Sequence, residues 1–337
     1  MTLQSFFVSV RDVLIVGAGP SGLAAAIAAK QQGLDYAIVE QGVLVNSVFN
    51  FPAHMVFFTT PELLEIGGLP LTSPYEKPTR LEALRYYRRV VDTYQLQIAF
   101  EEKVVAIERE PDGTFVVTTA LPRGATQVRE ARAVVLAIGY YDFPNYLGVP
   151  GEDLPHVSHY YDDAHPYYRK RVVVVGGKNS AAEAALELFR GGARVTLVHR
   201  HKALGDSIKY WVRPDIENRI KEGSVAARFE THVIEITRDV VVVEHHAVRE
   251  EIPADQVFLL TGYHPDVNLM SRAGIRCDPQ SYKPELNGET FETNVPNLFI
   301  AGGAIAGKHT GSIFIENGRF HGEKIITVLA DRLRQPE

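Results

Sequence analysis

The stretch VLIVGAGPSG, from Val13 to Gly22, decides the fold. Val13 to Val16 form a short, continuous apolar run, the pattern of a strand buried on both faces in a parallel sheet. The run leads into Gly17-Ala-Gly-Pro-Ser-Gly22 and then the alanine-rich segment Leu23 to Lys30, which reads as a helix. Gly17 permits the tight turn, Gly19 lets the backbone approach a pyrophosphate, and Gly22 lets helix and strand pack closely. Pro20 and Ser21 complete the loop. The helix N-terminus offers N–H groups and a positive dipole end to phosphate. A second apolar strand, Asp35 to Glu40, ends on an acid about 20 residues after the glycines, the spacing at which a carboxylate accepts hydrogen bonds from an adenosine ribose. Strand, glycines, helix, strand and acid in register predict a dinucleotide site.

A second such stretch, VVVVGGKNSA from Val172 to Ala181, follows about one domain length later. Its glycine is Gly176; Lys178 stands where the second fingerprint glycine would be, followed by Asn179 and Ser180. The helix Ala181 to Arg190 and the strand Arg194 to Val198 are clear, but that strand runs into His199-Arg200-His201-Lys202 instead of an acid. Cations at this place suit a ribose carrying a 2′-phosphate, which favours NADPH over NADH. The plain alternative is a solvated basic turn. His199 and His201 have no carboxylate or thiol near in sequence, so no metal site is expected.

The 337 residues suffice for two domains. With 45% hydrophobic and 23% charged residues the chain reads as globular, and a net charge of −6 argues against nucleic acid as a partner. No apolar run reaches the ~20 residues of a membrane span. Met1 to Val10 lacks the basic start and cleavage site of a secretory leader, so the expected location is the cytoplasm. The single cysteine, Cys277, excludes an intrachain disulfide and a C-x-x-C redox pair.

The first domain is expected over residues 1–155. It holds a helix from Arg80 to Tyr94, then strands Lys103 to Arg109, Thr114 to Ala120 and Gln127 to Arg132, with a hairpin at Asp112-Gly113. A separate closing strand runs from Ala133 to Gly139. The second domain, 156–264, repeats this scheme with strands Val233 to Thr237 and Val240 to His245 and a closing strand Gln256 to Gly262. His245 and His246, adjacent on a strand, are expected to face opposite ways. Residues 265–337 supply one more buried strand within Thr293 to Gly303 and a helix from Ile315 to Arg334. This tail completes the first domain's sheet, which makes the second domain an insertion with crossovers near Gly148–His156 and Gly262–Pro265. The fold class is α/β, with two Rossmann-like domains.

These landmarks resemble the two-dinucleotide flavoproteins related to low-molecular-weight thioredoxin reductase, and within them the bacillithiol-disulfide-reductase-like branch. The resemblance covers nearly the whole chain. It rests on GAGPSG, Ala137-Ile-Gly-Tyr-Tyr141, His159-Tyr-Tyr161, Ala164-His-Pro-Tyr167, GGKNSA, Ser207-Ile-Lys209, Gly262-Tyr-His-Pro-Asp266, TNVPNLFIAGG and Phe314 to Gly322. It implies FAD in the first domain, with Gly17, Gly19, Ser21 and Gly22 at the pyrophosphate, Glu40 at the ribose, and Gly139 and Gly302 beside the flavin. It implies NADPH in the second, on Gly176, Lys178, Asn179, Ser180, His199 and Arg200, and a homodimer. Two departures stand out. Gly303 replaces an aspartate that such flavoproteins often place on the ribityl chain, and Ser21 replaces a cysteine that the branch often carries.

The chemistry implied is hydride from NADPH to flavin and electrons onward to a small molecule or small redox protein. By resemblance the acceptor is a low-molecular-weight disulfide, yet a serine cannot form the mixed disulfide that thiol exchange needs. A thiol-free ferredoxin or flavodoxin reductase and a flavin monooxygenase therefore stay open. Tyr140 and Tyr141 follow a strand end, where a ring would either stack on a cofactor or pack at a seam. His54 and His309 read as surface histidines or proton relays.

Overall fold

The computed structural model describes residues 9–334. Most of the N-terminal stretch read above for a leader lies outside them. The described chain forms two compact units: residues 9–50, 55–143 and 263–334 make the first, and residues 51–54 and 144–262 the second.

In the first unit, β1 (Arg11–Val16) leads to α1 (Pro20–Gln31) and β2 (Tyr36–Val39). A single turn, α2 (Asn46–Phe49), precedes α3 (Arg80–Tyr94). Thr79 and Glu82 cap α3 reciprocally: Thr79 N–H donates to Glu82 Oε2 at 2.8 Å, and Glu82 N–H to Thr79 Oγ1 at 3.3 Å. Its buried face is Ala83, Tyr86, Tyr87 and Val90, the 3.6-residue stripe of an amphipathic helix. Then come β3 (Ile98–Ala99), β4 (Lys103–Arg109), β5 (Phe115–Ala120) and β6 (Thr126–Leu136). The β4–β5 turn closes as a hairpin, with Gly113 N–H on Glu110 O at 2.9 Å.

β6 corrects the expectation of two strands broken at Arg132. It is one strand whose halves have different neighbours. Residues 126–131 pair antiparallel with β5, and residues 131–136 pair parallel with β1. The outer half is exposed to half-buried from Thr126 to Glu130, whereas Ala133 to Leu136 is buried throughout and continuously apolar. The composition change marks a change of environment within one element.

The second unit carries β7 (Val157–Ser158), β8 (Arg171–Val175), α4 (Asn179–Arg190), β9 (Arg194–Val198), α5 (Arg213–Lys221) and β10 (Ala226–Arg228). β11 (Thr231–Ile236), β12 (Val240–His245) and β13 (Val248–Pro253) form an antiparallel three-stranded sheet, and β14 (Gln256–Leu259) closes the parallel one, ordered β10-β9-β8-β14-β7. Its core gathers Val174, Leu188, Leu197, Ile216 and Phe258 on one face of that sheet and Val173, Val198, Val241 and Leu259 on the other. The long segment of this unit runs from Pro144, where a start at residue 156 was expected. Val149 and Leu154 pack on its core, and Glu152 accepts the N–H groups of Leu147 (2.8 Å) and Gly148 (2.7 Å), which fastens this segment. His246 is not on a strand beside His245, as expected above. With Ala247 it forms the two-residue left-handed turn between β12 and β13 (φ 46° and 64°), and the two imidazole rings lie 4.2 Å apart.

Back in the first unit, α6 (Val267–Arg272) precedes β15 (Leu298–Ile300), which pairs parallel with β6. The first sheet thus runs β3-β2-β1-β6-β5-β4, with β15 beside the inner half of β6. The single C-terminal helix expected from Ile315 is two: α7 (Ile315–Gly318) and α8 (His321–Arg334). Gly318 lies against Gly302 and Ser21, while Gly322 lies against Ala25 of α1, so the chain bends between the two contacts.

Candidate functional site

In each parallel sheet the strand order reverses beside the fingerprint strand, at β1 between β2 and β6 and at β8 between β9 and β14. Open α/β sheets bind ligands in the crevice at such a point, beyond the carboxyl ends of the strands.

In the first unit the glycines are dictated by close approach. A Cβ on Gly17 would stand 2.5 Å from Ala137 O at the end of β6, and one on Gly22 would stand 2.0 Å from Gly17 O. Beside Gly19 there is open space. Gly19 is the N-cap of α1, Pro20 occupies the first turn where its missing N–H costs nothing, no side chain caps the helix, and no acid sits in its first turn. The leading N–H groups are left for an anion. Ser21 Oγ donates to Gly318 O at 3.1 Å, and Gly302 meets Ser21 from the end of β15. Gly139, at the end of β6, completes the same edge. Gly17, Gly19, Pro20, Ser21, Gly22 and Gly302 are thus brought together, while Gly139 has Ser47 as its near neighbour.

Glu40 follows β2, and its buried carboxylate is already engaged. Oε2 accepts Ala18 N–H at 2.8 Å and Oε1 accepts Gly42 N–H at 2.9 Å. Burial raises its pKa, and the two N–H groups oppose that rise. Glu40 therefore ties the Gly17–Gly22 loop to the end of β2 through Ala18 and Gly42.

One residue of this edge carried no role in the sequence reading. His321, the first residue of α8, is buried, stacks on Phe291 with ring centroids 4.2 Å apart, and accepts Gly302 N–H on Nδ1 at 3.1 Å. Burial, then nearby Lys324, brings its pKa down to about 4. His321 lies inside Phe314 to Gly322, a stretch that carried only resemblance; its partner is remote in sequence.

In the second unit, Lys178 is the N-cap of α4, which has neither a side-chain cap nor an acid in its first turn. Lys178 and Ser180 are exposed. Asn179 is engaged: Nδ2 donates to Ser207 O and Oδ1 accepts Lys209 N–H, both at 2.9 Å, tying the 205–209 loop to the helix start. His199 packs its ring on Gly177, where a Cβ would come within 2.4 Å of three ring atoms. Burial lowers its pKa, helped by His201 and Arg200. Arg200 is exposed and lines an open basin of about 660 Å³ with His201, Lys202, His232, Glu230 and Glu244.

The other flagged residues lie apart. His54 is exposed and pairs with Asp163 at 3.3 Å, and His309 is exposed. Tyr141 donates to Asn50 O at 3.2 Å and packs on Tyr263. Cys277 is half-buried, and burial pushes its thiol pKa up, away from the thiolate. Among the described residues, no group of three or more His, Cys, Asp or Glu is placed to hold a metal ion, and no helix is long and apolar enough to cross a membrane.

The family model for pyridine nucleotide-disulphide oxidoreductases matches residues 14–302, spanning both fingerprints. The chain belongs to the pyridine nucleotide-disulphide oxidoreductase family. It is 44% identical to bacilliredoxin reductase Bdr of Bacillus subtilis (strain 168), over 95% of this chain and 97% of that one. Among solved structures it resembles bacillithiol disulfide reductase Bdr from Bacillus cereus, with a TM-score of 0.94 and 40% identity, covering 96% of this chain and all of that one (100%). The corresponding enzyme from Staphylococcus aureus matches with a TM-score of 0.90 and 39% identity, covering 96% and 99% of the two chains. The protein is thus an oxidoreductase closely resembling bacillithiol disulfide reductase, and membership of this oxidoreductase family implies use of FAD and NADPH. The first edge fits such a dinucleotide: an uncapped helix N-terminus, open space at Gly19 and a buried carboxylate beside the loop.

Proposed function

We propose that this protein oxidises NADPH through FAD and delivers the electrons to a bacillithiol-type disulfide, with the balance NADPH + H⁺ + RSSR → NADP⁺ + 2 RSH. The observation that carries the reading is the pair of uncapped helix N-termini, one at the switch point of each sheet. The FAD pyrophosphate is assigned to Gly17, Gly19, Pro20, Ser21 and Gly22, its ribose to Glu40, and the flavin side to Gly139 and Gly302. NADPH is assigned to Gly176, Lys178, Asn179 and Ser180, with His199 and Arg200 toward the 2′-phosphate; in this role Asn179 acts by holding the loop. When bound, the two groups supply hydride transfer and two-electron reduction. The residues supply anion binding, orientation and, at Glu40, a fixed negative charge. The setting we propose is a cytoplasmic homodimer, for which light scattering and fractionation are the checks.

Ser21 favours a second reading. A serine cannot carry a mixed disulfide, and Cys277 is a poor thiolate. A ferredoxin- or flavodoxin-type acceptor needs no thiol at all. The deciding experiment is NADPH oxidation by the FAD-loaded protein, air excluded, with and without bacillithiol disulfide, repeated with Cys277→Ala. Disulfide-dependent turnover supports the first reading. Flavin reduction without it overturns the disulfide acceptor and favours the second. Failure to bind FAD overturns both.

A further inference from the structure

Gly303 has an ordinary backbone conformation, within the tight turn Gly302–Ala306, so its φ does not require glycine. Space requires it. A Cβ there would stand 2.7 Å from both Cδ1 and Cε1 of Tyr140, well inside the 3.5–4.0 Å at which carbon atoms pack. The ring of Tyr140 thus fills the volume that a side chain at 303 would use.

Tyr140 has little freedom to withdraw. It follows Gly139 at the end of β6, its ring is largely enclosed, and its hydroxyl donates to Thr310 O at 3.4 Å. One side chain therefore spans the turn from 303 to 310. β6 and β15 are parallel neighbours that end at the same sheet edge, beside the Gly17–Gly22 loop. Burial, with Glu316 adding to it, raises the Tyr140 pKa, so the phenol stays neutral.

We propose that Tyr140 is a wall of the flavin site, an uncharged ring standing where a side chain at position 303 would otherwise reach the dinucleotide. The proposal rests on the reading that the first unit binds FAD. It assigns Gly303 a reason: the residue is small so that Tyr140 can be where it is.

The test is FAD titration into the full-length apoprotein, with the absorption and fluorescence of the bound flavin recorded. Gly303→Ala pushes the ring aside and weakens FAD about tenfold or more. Adding Tyr140→Ala to Gly303→Ala recovers most of that loss, because the added methyl then has room. Tyr140→Phe keeps the ring and binds FAD like the unaltered protein. Tyr140→Ala alone shifts the flavin absorption band and raises the fluorescence of the bound flavin. Equal affinity for Gly303→Ala and the unaltered protein, or no recovery in the double variant, overturns the proposal. Should Gly303→Ala not fold, the spectra decide: identical bound-flavin spectra for Tyr140→Phe and Tyr140→Ala overturn it. An unaltered protein that binds no FAD overturns the cofactor reading as well, whereas FAD bound indifferently to these substitutions overturns this proposal alone.

Discussion

His321 keeps Nδ1 unprotonated because that nitrogen accepts the N–H of Gly302, and burial against Phe291 opposes any added charge. An unfolded histidine titrates near 6.5; the folded one titrates at about 4. Between those values the unfolded chain binds more protons, so stability falls as pH drops through that window and is fully present above it. Melting temperatures between pH 4 and 7 are expected to fall more steeply for the unaltered protein than for His321→Asn, whose amide oxygen can still accept the Gly302 N–H. Equal slopes for the two would remove His321 from this role. Glu40 acts at the same scale. Glu40→Gln removes a charge and turns an amide donor toward Ala18 or Gly42 N–H. Charge-assisted bonds of this kind contribute ~1.5–3 kcal/mol, so FAD affinity is expected to fall about tenfold or more, measured by quenching of FAD fluorescence.

Among the elements, the turn after β9 is the one we propose to carry the nucleotide preference. Arg200 is exposed beside Lys202, and its guanidinium contacts only the neighbouring exposed His201 among the described hydrogen bonds. Arg200→Ala is expected to raise KM for NADPH several-fold or more and to leave KM for NADH unchanged. Equal effects on both would place the 2′-phosphate elsewhere. Both fingerprints were legible in the sequence because a strand, a glycine turn and a helix are local and carry their own periodicity. The boundary inside β6 was misread for a physical reason: partner change and chain break leave the same composition signal. The break between α7 and α8 was hidden because it answers to Ser21 and Ala25, remote in sequence. The same distance hid the pairing of His321 with Gly302 and of Tyr140 with Gly303.

Over the whole molecule, each unit buries its own core, so damage to one should spare the cofactor of the other. Phe258 is fully buried and meets Tyr161 and Tyr167 edge-on, with centroids 5.4 and 5.2 Å away. Phe258→Ala should cost the second unit ~3–5 kcal/mol. The variant is expected to lose NADP⁺-dependent thermal protection while retaining bound flavin; simultaneous loss of both would show that the two units unfold as one. The paired fingerprints are what suggested two domains in the sequence. The edge at Pro144 was not legible there, because the segment from Pro144 to His156 is held by Val149, Leu154 and Glu152 without strand or helix periodicity.

The pairing of β15 with β6 sets an order of birth. Leu136 leaves the ribosome long before Ile300, yet the inner half of β6 is covered on one side only by β15. At ~5–20 residues per second, the early strands wait roughly 10–30 s for their last neighbour. The inserted unit, complete at Gly262, waits a shorter time for its own late strand, β14. During translation it can close first, and the older half of the chain is finished by its youngest strand.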